Sequence, residues 1–379
     1  MKICYFGTYE REYPRNRVVI DALRTAGMDV VECHIPVWEL TRHKTGRFFH
    51  PLSLLSLAGR IAGGYLRLAA RFLRMAGGID LVVVGYIGQL DVLLVRTLMV
   101  FRGPNRLVFN PLVSLYDTLI DDRGLFAPGS LPARLLFALD RSAFRRSDRI
   151  LLDTNVHIDY ISDKFSIDRS RFERLFVSAD ESVFKARREK PEEEPFVVLF
   201  VGKFIPLHGL DHIIRAAGLL RDDSRIRFRI VGTGQLYDQI MDLCRRLKID
   251  NIEFIDWIPY RDLPREMSRA HVCLGIFSRG GKTARVIPNK VFQGLAVGLP
   301  VITGDTPASR ELIAGDRDAI LVPVGQPAEL ARAIRSLKND PRRRKEIAAQ
   351  GLALFQRRCR REVLGLQLKD LFERVLHQG

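Results

Sequence analysis

The chain has 379 residues, 47% of them hydrophobic and 27% charged, which is an ordinary globular balance and enough for two domains with sizeable cores. Its formal net charge of +16 is not ordinary and favours anionic partners: nucleotide phosphates, nucleic acid or an anionic membrane face. That charge is arginine scattered along the chain, without a long basic tail or any recognised nucleic-acid motif, so no nucleic-acid partner is expected.

The first strand is Lys2–Phe6, entered without an apolar leader, so a cytoplasmic chain is expected. It ends at Gly7-Thr8, where no G-x-G-x-x-G follows. A helix from about Asn16 to Ala26 and a strand from Asp29 to Ile35 complete a βαβ unit, which predicts a parallel sheet. Thr8, Arg15 and Asn16 fall at the sheet's carboxyl edge, where open α/β sheets bind ligands. Arg15 and Asn16 serve either a ligand there or simple capping of the helix.

From Leu52 to Met75, Arg60, Arg67, Arg71 and Arg74 share one narrow helical stripe. Leu54, Leu57, Ile61, Leu68 and Phe72 share the neighbouring face. Such a helix lies on an anionic bilayer, as a peripheral contact, or covers the sheet with its arginines in water. Leu81–Phe101 is too interrupted to span a membrane and reads as a strand, Asp80–Gly85, then a helix, Gln89–Phe101. Another strand, Arg106–Asn110, leads to a polar segment holding Tyr116, Asp117, Asp121 and Asp122. Asp117 is the preferred functional carboxylate, binding sugar hydroxyls or taking a proton; the alternative is a helix-start acid held by the dipole. A helix, Leu131–Arg145, a strand, Arg149–Thr154, and a short helix, His157–Phe165, follow. The charged, proline-bounded stretch Lys185–Pro195 is the expected linker.

The second half repeats the alternation, with strands at Phe196–Val201, Arg227–Val231, Asn251–Ile255, His271–Ile276, Val301–Ile302 and Ala319–Val322. Gly202, Lys203 and His208 line the loop after the first of these, and Gly232-Thr233-Gly234 the loop after the second. Asn289, Lys290 and Gln293 line the start of a helix that Gly298 and Pro300 end. A lysine beside a helix start is an anion site, and Lys203 and His208 can donate to a diphosphate. The five cysteines form no C-x-x-C pair and no zinc spacing, so reduced thiols are expected and no metal. No Ser-His-Asp order, H-E-x-x-H or Walker A sequence is present.

From about Phe196 to Arg357 the chain resembles the retaining GT-B glycosyltransferases, family 4 in particular. Gly202-Lys203 to His208-Gly209 looks like that family's phosphate loop, and Val231-Gly232-Thr233-Gly234 like its Val-Gly-x-Gly turn. Asp256-Trp257-Ile258-Pro259 matches its base-contacting segment, Phe292–Val301 its Glu-Ala-x-Ala-x-Gly-x-Pro-Val signature, and Ser309–Leu312 the next element. Tyr116-Asp117 falls where many members have His-Asp. The usual glutamate pair is replaced by Arg285 and Gln293, and Pro288-Asn289-Lys290 is similar to branches lacking the first glutamate.

The resemblance implies an α/β GT-B chain, two Rossmann-like doubly wound domains facing across a cleft. Residues 1–185 would bind the acceptor, 196–360 the nucleotide-sugar, and a helix in 361–379 would pack back on the first domain. It implies retaining, metal-independent transfer of a hexosyl or N-acetylhexosaminyl group to a glycan or lipid-linked acceptor, in cell-surface polysaccharide biosynthesis. The nucleotide-sugar is a substrate and no cofactor is implied. Lys203, His208 and Asp117 would be catalytic. Gly202, Gly232, Gly234, Trp257, Ile258, Asn289, Lys290 and Gln293 would hold the donor, and Thr8, Arg15, Asn16 and Tyr116 would line the acceptor side. Loss of both glutamates leaves a second reading open, a nucleotide-sugar-binding subunit that transfers nothing.

Overall fold

The computed structural model describes residues 1–37, 51–186 and 194–377, without the side chains of 51–58 and 60. The side chains of Leu54, Leu57 and Arg60, and most of the expected linker, lie outside what is described. The chain forms two compact units: Met1–Asp153 with Ile158–Phe176 and Arg361–Gly379, and Thr154–His157 with Val177–Arg360.

The first unit contains β1 (Lys2–Gly7), α1 (Pro14–Thr25), β2 (Asp29–His34), α2 (Pro51–Met75), β3 (Leu81–Val84), α3 (Gln89–Phe101) and β4 (Leu107–Phe109). There follow α4 (Leu131–Arg146), β5 (Arg149–Leu152), α5 (Asn155–Phe165, its first turn grouped with the second unit) and β6 (Phe172–Arg174). All six strands are parallel, in the order β2-β1-β3-β4-β5-β6. Continuous apolar strands suit a sheet covered on both faces. Cys4 and Phe6 face Leu68, Phe72, Val92 and Phe144, whereas Ile3 and Tyr5 face Val19, Leu23, Leu368 and Phe372. The last two belong to the final helix, α13 (Arg361–His377), which packs on α1. Gly365 permits that approach, since a Cβ there would lie 2.4 Å from the Ala22 carbonyl oxygen.

The apolar side of α2 is spent in this core through Leu68 and Phe72. Arg71 donates to the carbonyls of Glu32 and His34, and Arg67 to that of Gly63. The described half of α2 thus covers the sheet, with Leu66 left 73% exposed.

The second unit contains β7 (Phe196–Val201), α6 (Leu210–Leu219), β8 (Ile226–Val231), α7 (Tyr237–Leu247), β9 (Ile252–Ile255), α8 (Leu263–Ser268) and β10 (Val272–Leu274). It continues with α9 (Asn289–Ala296), β11 (Val301–Asp305), α10 (Pro307–Leu312), β12 (Ile320–Pro323), α11 (Pro327–Asn339) and α12 (Pro341–Arg358). Its sheet is also all parallel, in the order β12-β11-β10-β7-β8-β9. The order reverses between β7 and β10, and in the first unit between β1 and β3. Crevices at such switch points are where doubly wound sheets take ligands.

One feature departs from the sequence reading. β6 was not expected, because Phe-Glu-Arg has no apolar run; pairing with β5 makes it a strand. The polar segment's Asp117–Asp122 forms a π-helical turn, with Asp117 in its first turn.

Candidate functional site

Lys290 is the second residue of α9, which follows β10 across the switch point from β7. Its helix is placed as its sequence dictates. Pro288 caps the start in extended conformation, and Gly298, at φ +66°, closes the end through backbone bonds to Leu295 and, from Leu299, to Gly294. The Lys290 side chain is buried, with Nζ 4.0 Å from the centre of the Phe200 ring. Nζ has no hydrogen-bond partner among the described residues. Burial lowers its pKa from 10.5 to about 7.

Glycines bring backbone to this ammonium. A Cβ at Gly202 would sit 2.8 Å from Lys290 Nζ and 3.0 Å from His208 Cε1. Gly232, at φ +136°, abuts Gly202: a Cβ there would lie 2.1 Å from the Gly202 carbonyl oxygen. The loops after β7, β8 and β9 are also tied by backbone bonds from Gly202 to Val231, from Phe204 to Thr233 and from Gly232 to Ile255. Gly234 lies against the Phe204 backbone.

His208 ends a short 3₁₀ turn, Pro206–His208. Its Nδ1 lies 2.5 Å from the Lys203 carbonyl oxygen, which can only accept, so Nδ1 carries the proton and Nε2 a lone pair. Burial, followed by the nearby Lys290 charge, pushes its pKa well below 6.5. The free protein therefore holds His208 neutral, not as the cation that a phosphate would favour. Lys203 itself is exposed.

The other expected donor residues sit around the same edge. Asn289 is the first residue of α9, and Gln293 is buried one turn on, with its side chain making no hydrogen bond to a described residue. Trp257 follows β9 and is 74% exposed, beside half-buried Ile258. The sequence reading passed over Lys282 and Thr283, both buried in the loop between β10 and α9. Thr283 donates to the Leu207 carbonyl, joining that loop to the His208 turn. Gly-Gly-Lys-Thr after a strand was the available signal. Glu311 on α10 caps the first turn of α5, accepting from the Asn155 and Val156 amides at 2.9 and 3.0 Å.

In the first unit, the expected acceptor residues have internal partners. The Thr8 amide and hydroxyl both donate to Asp91, at 2.8 and 3.1 Å. Asp91 is fully buried on α3, and burial raises its pKa to about 6. Arg15, fully buried, donates to Asn110 and to the carbonyls of Leu175 and Phe176, each at 2.8 Å. Asn16 accepts from the Tyr5 hydroxyl and the Tyr86 amide. Tyr116 packs edge-on against Phe137, under the Lys164 ammonium. Asp117, buried at the start of the π-turn, donates its backbone amide to the Ser114 hydroxyl oxygen at 3.0 Å. Behind it Asp140, missed in the sequence, accepts from Ser114, Leu115, Tyr116 and Gln89 and fixes this loop.

Residues 195–340, within the second unit, match the family model described as glycosyl transferases group 1. The lipopolysaccharide core biosynthesis glycosyltransferase LpsD of Rhizobium meliloti is 26% identical over 187 residues, 48% of this chain and 50% of that protein. The GDP-mannose-dependent alpha-mannosyltransferase of Mycobacterium tuberculosis is 28% identical over 224 residues, 57% of this chain and 54% of that protein. The chain thus spans about half the length of these relatives. Among solved structures, sucrose-phosphate synthase from Thermosynechococcus elongatus superposes with a TM-score of 0.70 at 14% identity, over all of both chains. HepE from Anabaena, solved in complex with UDP, gives 0.68 at 14% identity, over 98% of this chain and 100% of its own. These likenesses show the fold: two parallel six-stranded α/β units of GT-B type.

Proposed function

We propose that this chain is a glycosyltransferase that moves a sugar from a nucleotide-sugar donor, bound by the second unit, to a glycan or lipid-linked acceptor. The observation that carries this reading is the buried, unpartnered Lys290 ammonium at the switch-point edge, with glycine backbone against it. An unpaired charge is costly to bury, and a diphosphate would satisfy it. The reading is supported by relatives named for lipopolysaccharide core biosynthesis and colanic acid biosynthesis, and by HepE, which has the same fold and was solved in complex with UDP.

In this reading the loops after β7 and β8 approach the diphosphate through backbone, and Trp257 and Ile258 flank the base. Lys290 meets the negative charge that develops as the sugar leaves, with Lys203 at the loop surface. Stabilising that departing charge is the main catalytic contribution. His208 donates from Nε2 only after taking up a proton, which the bound phosphate favours by raising its pKa. Asp117 would orient or deprotonate the acceptor hydroxyl. The transfer would retain the anomeric configuration and need no metal, with no protein nucleophile assigned. Hexosyl and N-acetylhexosaminyl groups are the donor sugars to examine.

Incubation with a panel of nucleotide-sugars and extracted lipid or glycan acceptors tests this directly. Nucleotide release with acceptor is the expected result, and normal turnover in Lys290→Ala would sink the role given to that lysine. A second reading, a subunit that binds the donor without transferring it, is favoured by one observation. Gln293 is a neutral amide with no hydrogen bond to a described residue, and Arg285 replaces the other usual acid. Donor binding by calorimetry without product would select it.

A further inference from the structure

The exposed apolar side chains are unevenly divided between the units. Among described residues, only Leu219 and Trp257 of the large exposed hydrophobics belong to the second unit. In the first, Leu125, Phe126, Leu131 and Leu135 follow one another at the carboxyl end of β4, exposed by 51%, 44%, 70% and 61%. Ile87 and Leu90, at the start of the neighbouring α3, add to the same edge.

This surface is built. The loop from Gly124 to Ser130 has no charged residue, and Gly124–Gly129 is exposed throughout. Its backbone is held by bonds from Gly124 to Ile120, Leu125 to Leu119 and Ser130 to Ala127, with Gly124 and Gly129 at φ +60° and +81°. The Ser130 hydroxyl then caps α4 by accepting from the Ala133 amide. On α4, helical spacing puts Leu131, Leu135 and Ala138 in one stripe, flanked by Arg134 and Arg146 and continued by Arg145. All six are exposed. From Arg123 to Ser147 the single acidic residue is Asp140, which is buried.

We propose that the 124–130 loop and the exposed side of α4 dock on an anionic lipid bilayer. Leu125, Phe126, Leu131 and Leu135 enter the interface, and Arg134, Arg145 and Arg146 meet the headgroups. The charge pattern selects this occupant: apolar tips with arginines and no exposed carboxylate between Arg123 and Ser147, the nearby Asp121 being paired with Lys164, are complementary to an acidic lipid surface. A second copy meeting the same face would oppose arginine to arginine. The inference extends the lipid-linked acceptor of the proposed function, but its test needs neither donor nor turnover.

The full chain would be sedimented with vesicles of phosphatidylglycerol and phosphatidylcholine, and with phosphatidylcholine alone, at about 0.1 M salt. Binding to the anionic vesicles is expected, at least ~10-fold weaker in the double variant Leu131→Asn, Leu135→Asn. Arg134→Gln should lose about 3-fold and flatten the salt dependence. Both leucines are exposed, so circular dichroism and melting should be unchanged in the double variant. Absent binding to anionic vesicles, undiminished binding in the double variant, or a wild-type dimer that this variant dissolves would each overturn the proposal. Nucleotide release with a water-soluble acceptor, without vesicle binding, would remove this surface and leave the transfer reading standing.

Discussion

The two units place opposite charges at matching points. In each, a glycine closes or directly follows the first strand, Gly7 in β1 and Gly202 after β7, and the neighbouring strand across the switch point leads to a helix whose first turn faces that glycine. In the second unit the helix presents Lys290, partnerless, to Gly202. In the first it presents Asp91, whose carboxylate oxygen lies 2.4 Å from where a Gly7 Cβ would be and accepts from Thr8. A carboxylate fills that crevice and repels an anion, whereas an unpaired ammonium attracts one. The shared layout therefore does not predict shared binding; one residue at the helix start decides it.

The sharpest way to break this contrast is Lys290→Ala. Loss of a charge-stabilising donor should lower kcat/KM about 10²–10³-fold, read as nucleotide release. Lys290→Met should at the same time raise the melting temperature of the free protein, by about 1–2 kcal/mol of added stability, because it removes an unpaired buried charge. Gly232→Ala forces a Cβ into the Gly202 carbonyl and should cost about 2–3 kcal/mol in denaturant unfolding, together with most nucleotide affinity. Asp91→Ala strands the Thr8 donors and should cost about 1–3 kcal/mol while leaving nucleotide affinity unchanged. If Asp91→Ala weakened nucleotide binding as Lys290→Ala does, the comparison would fail.

The same contrast extends to pH. Lys290 keeps its proton to about pH 10.5 when unfolded but releases it near 7 when folded. Between those values the unfolded state binds more protons, so its contribution to stability rises with pH. Asp91 runs the other way: its folded pKa of about 6 lies above the ordinary 3.8, so its contribution falls as pH rises through that window. Denaturant titrations from pH 4 to 10 should show both slopes, with Lys290→Met abolishing the upper one and Asp91→Asn the lower. Nucleotide affinity should weaken above pH 7 as Lys290 loses its charge. The smallest expected effect is Trp257→Ala, about 1 kcal/mol of nucleotide affinity, with stability unchanged because the ring is exposed.

Much of this was legible in advance because it is local. The β-branched runs, the glycine stops and the Gly298-Leu299-Pro300 ending are set by neighbouring residues, and the structure has the alternating α/β pattern they imply. Gly202, Lys203, His208, Gly232 and Lys290 were singled out from their positions after strands, and the structure gathers Gly202, His208, Gly232 and Lys290 at one sheet edge. What was not legible depended on distant partners. Phe172–Arg174 becomes a strand only through β5. Arg15, read as a capping or ligand residue, is buried because Asn110, Leu175 and Phe176 surround it. The sequence alone determined two α/β halves, their apolar strands, and which loops carry glycine and basic residues, since these follow from short-range periodicity and backbone freedom. Only the tertiary structure decided strand order, the neutral state of His208, the plug at Asp91 and the unpartnered charge at Lys290. Burial and pairing are properties of what folds against a residue, and no stretch of sequence contains them.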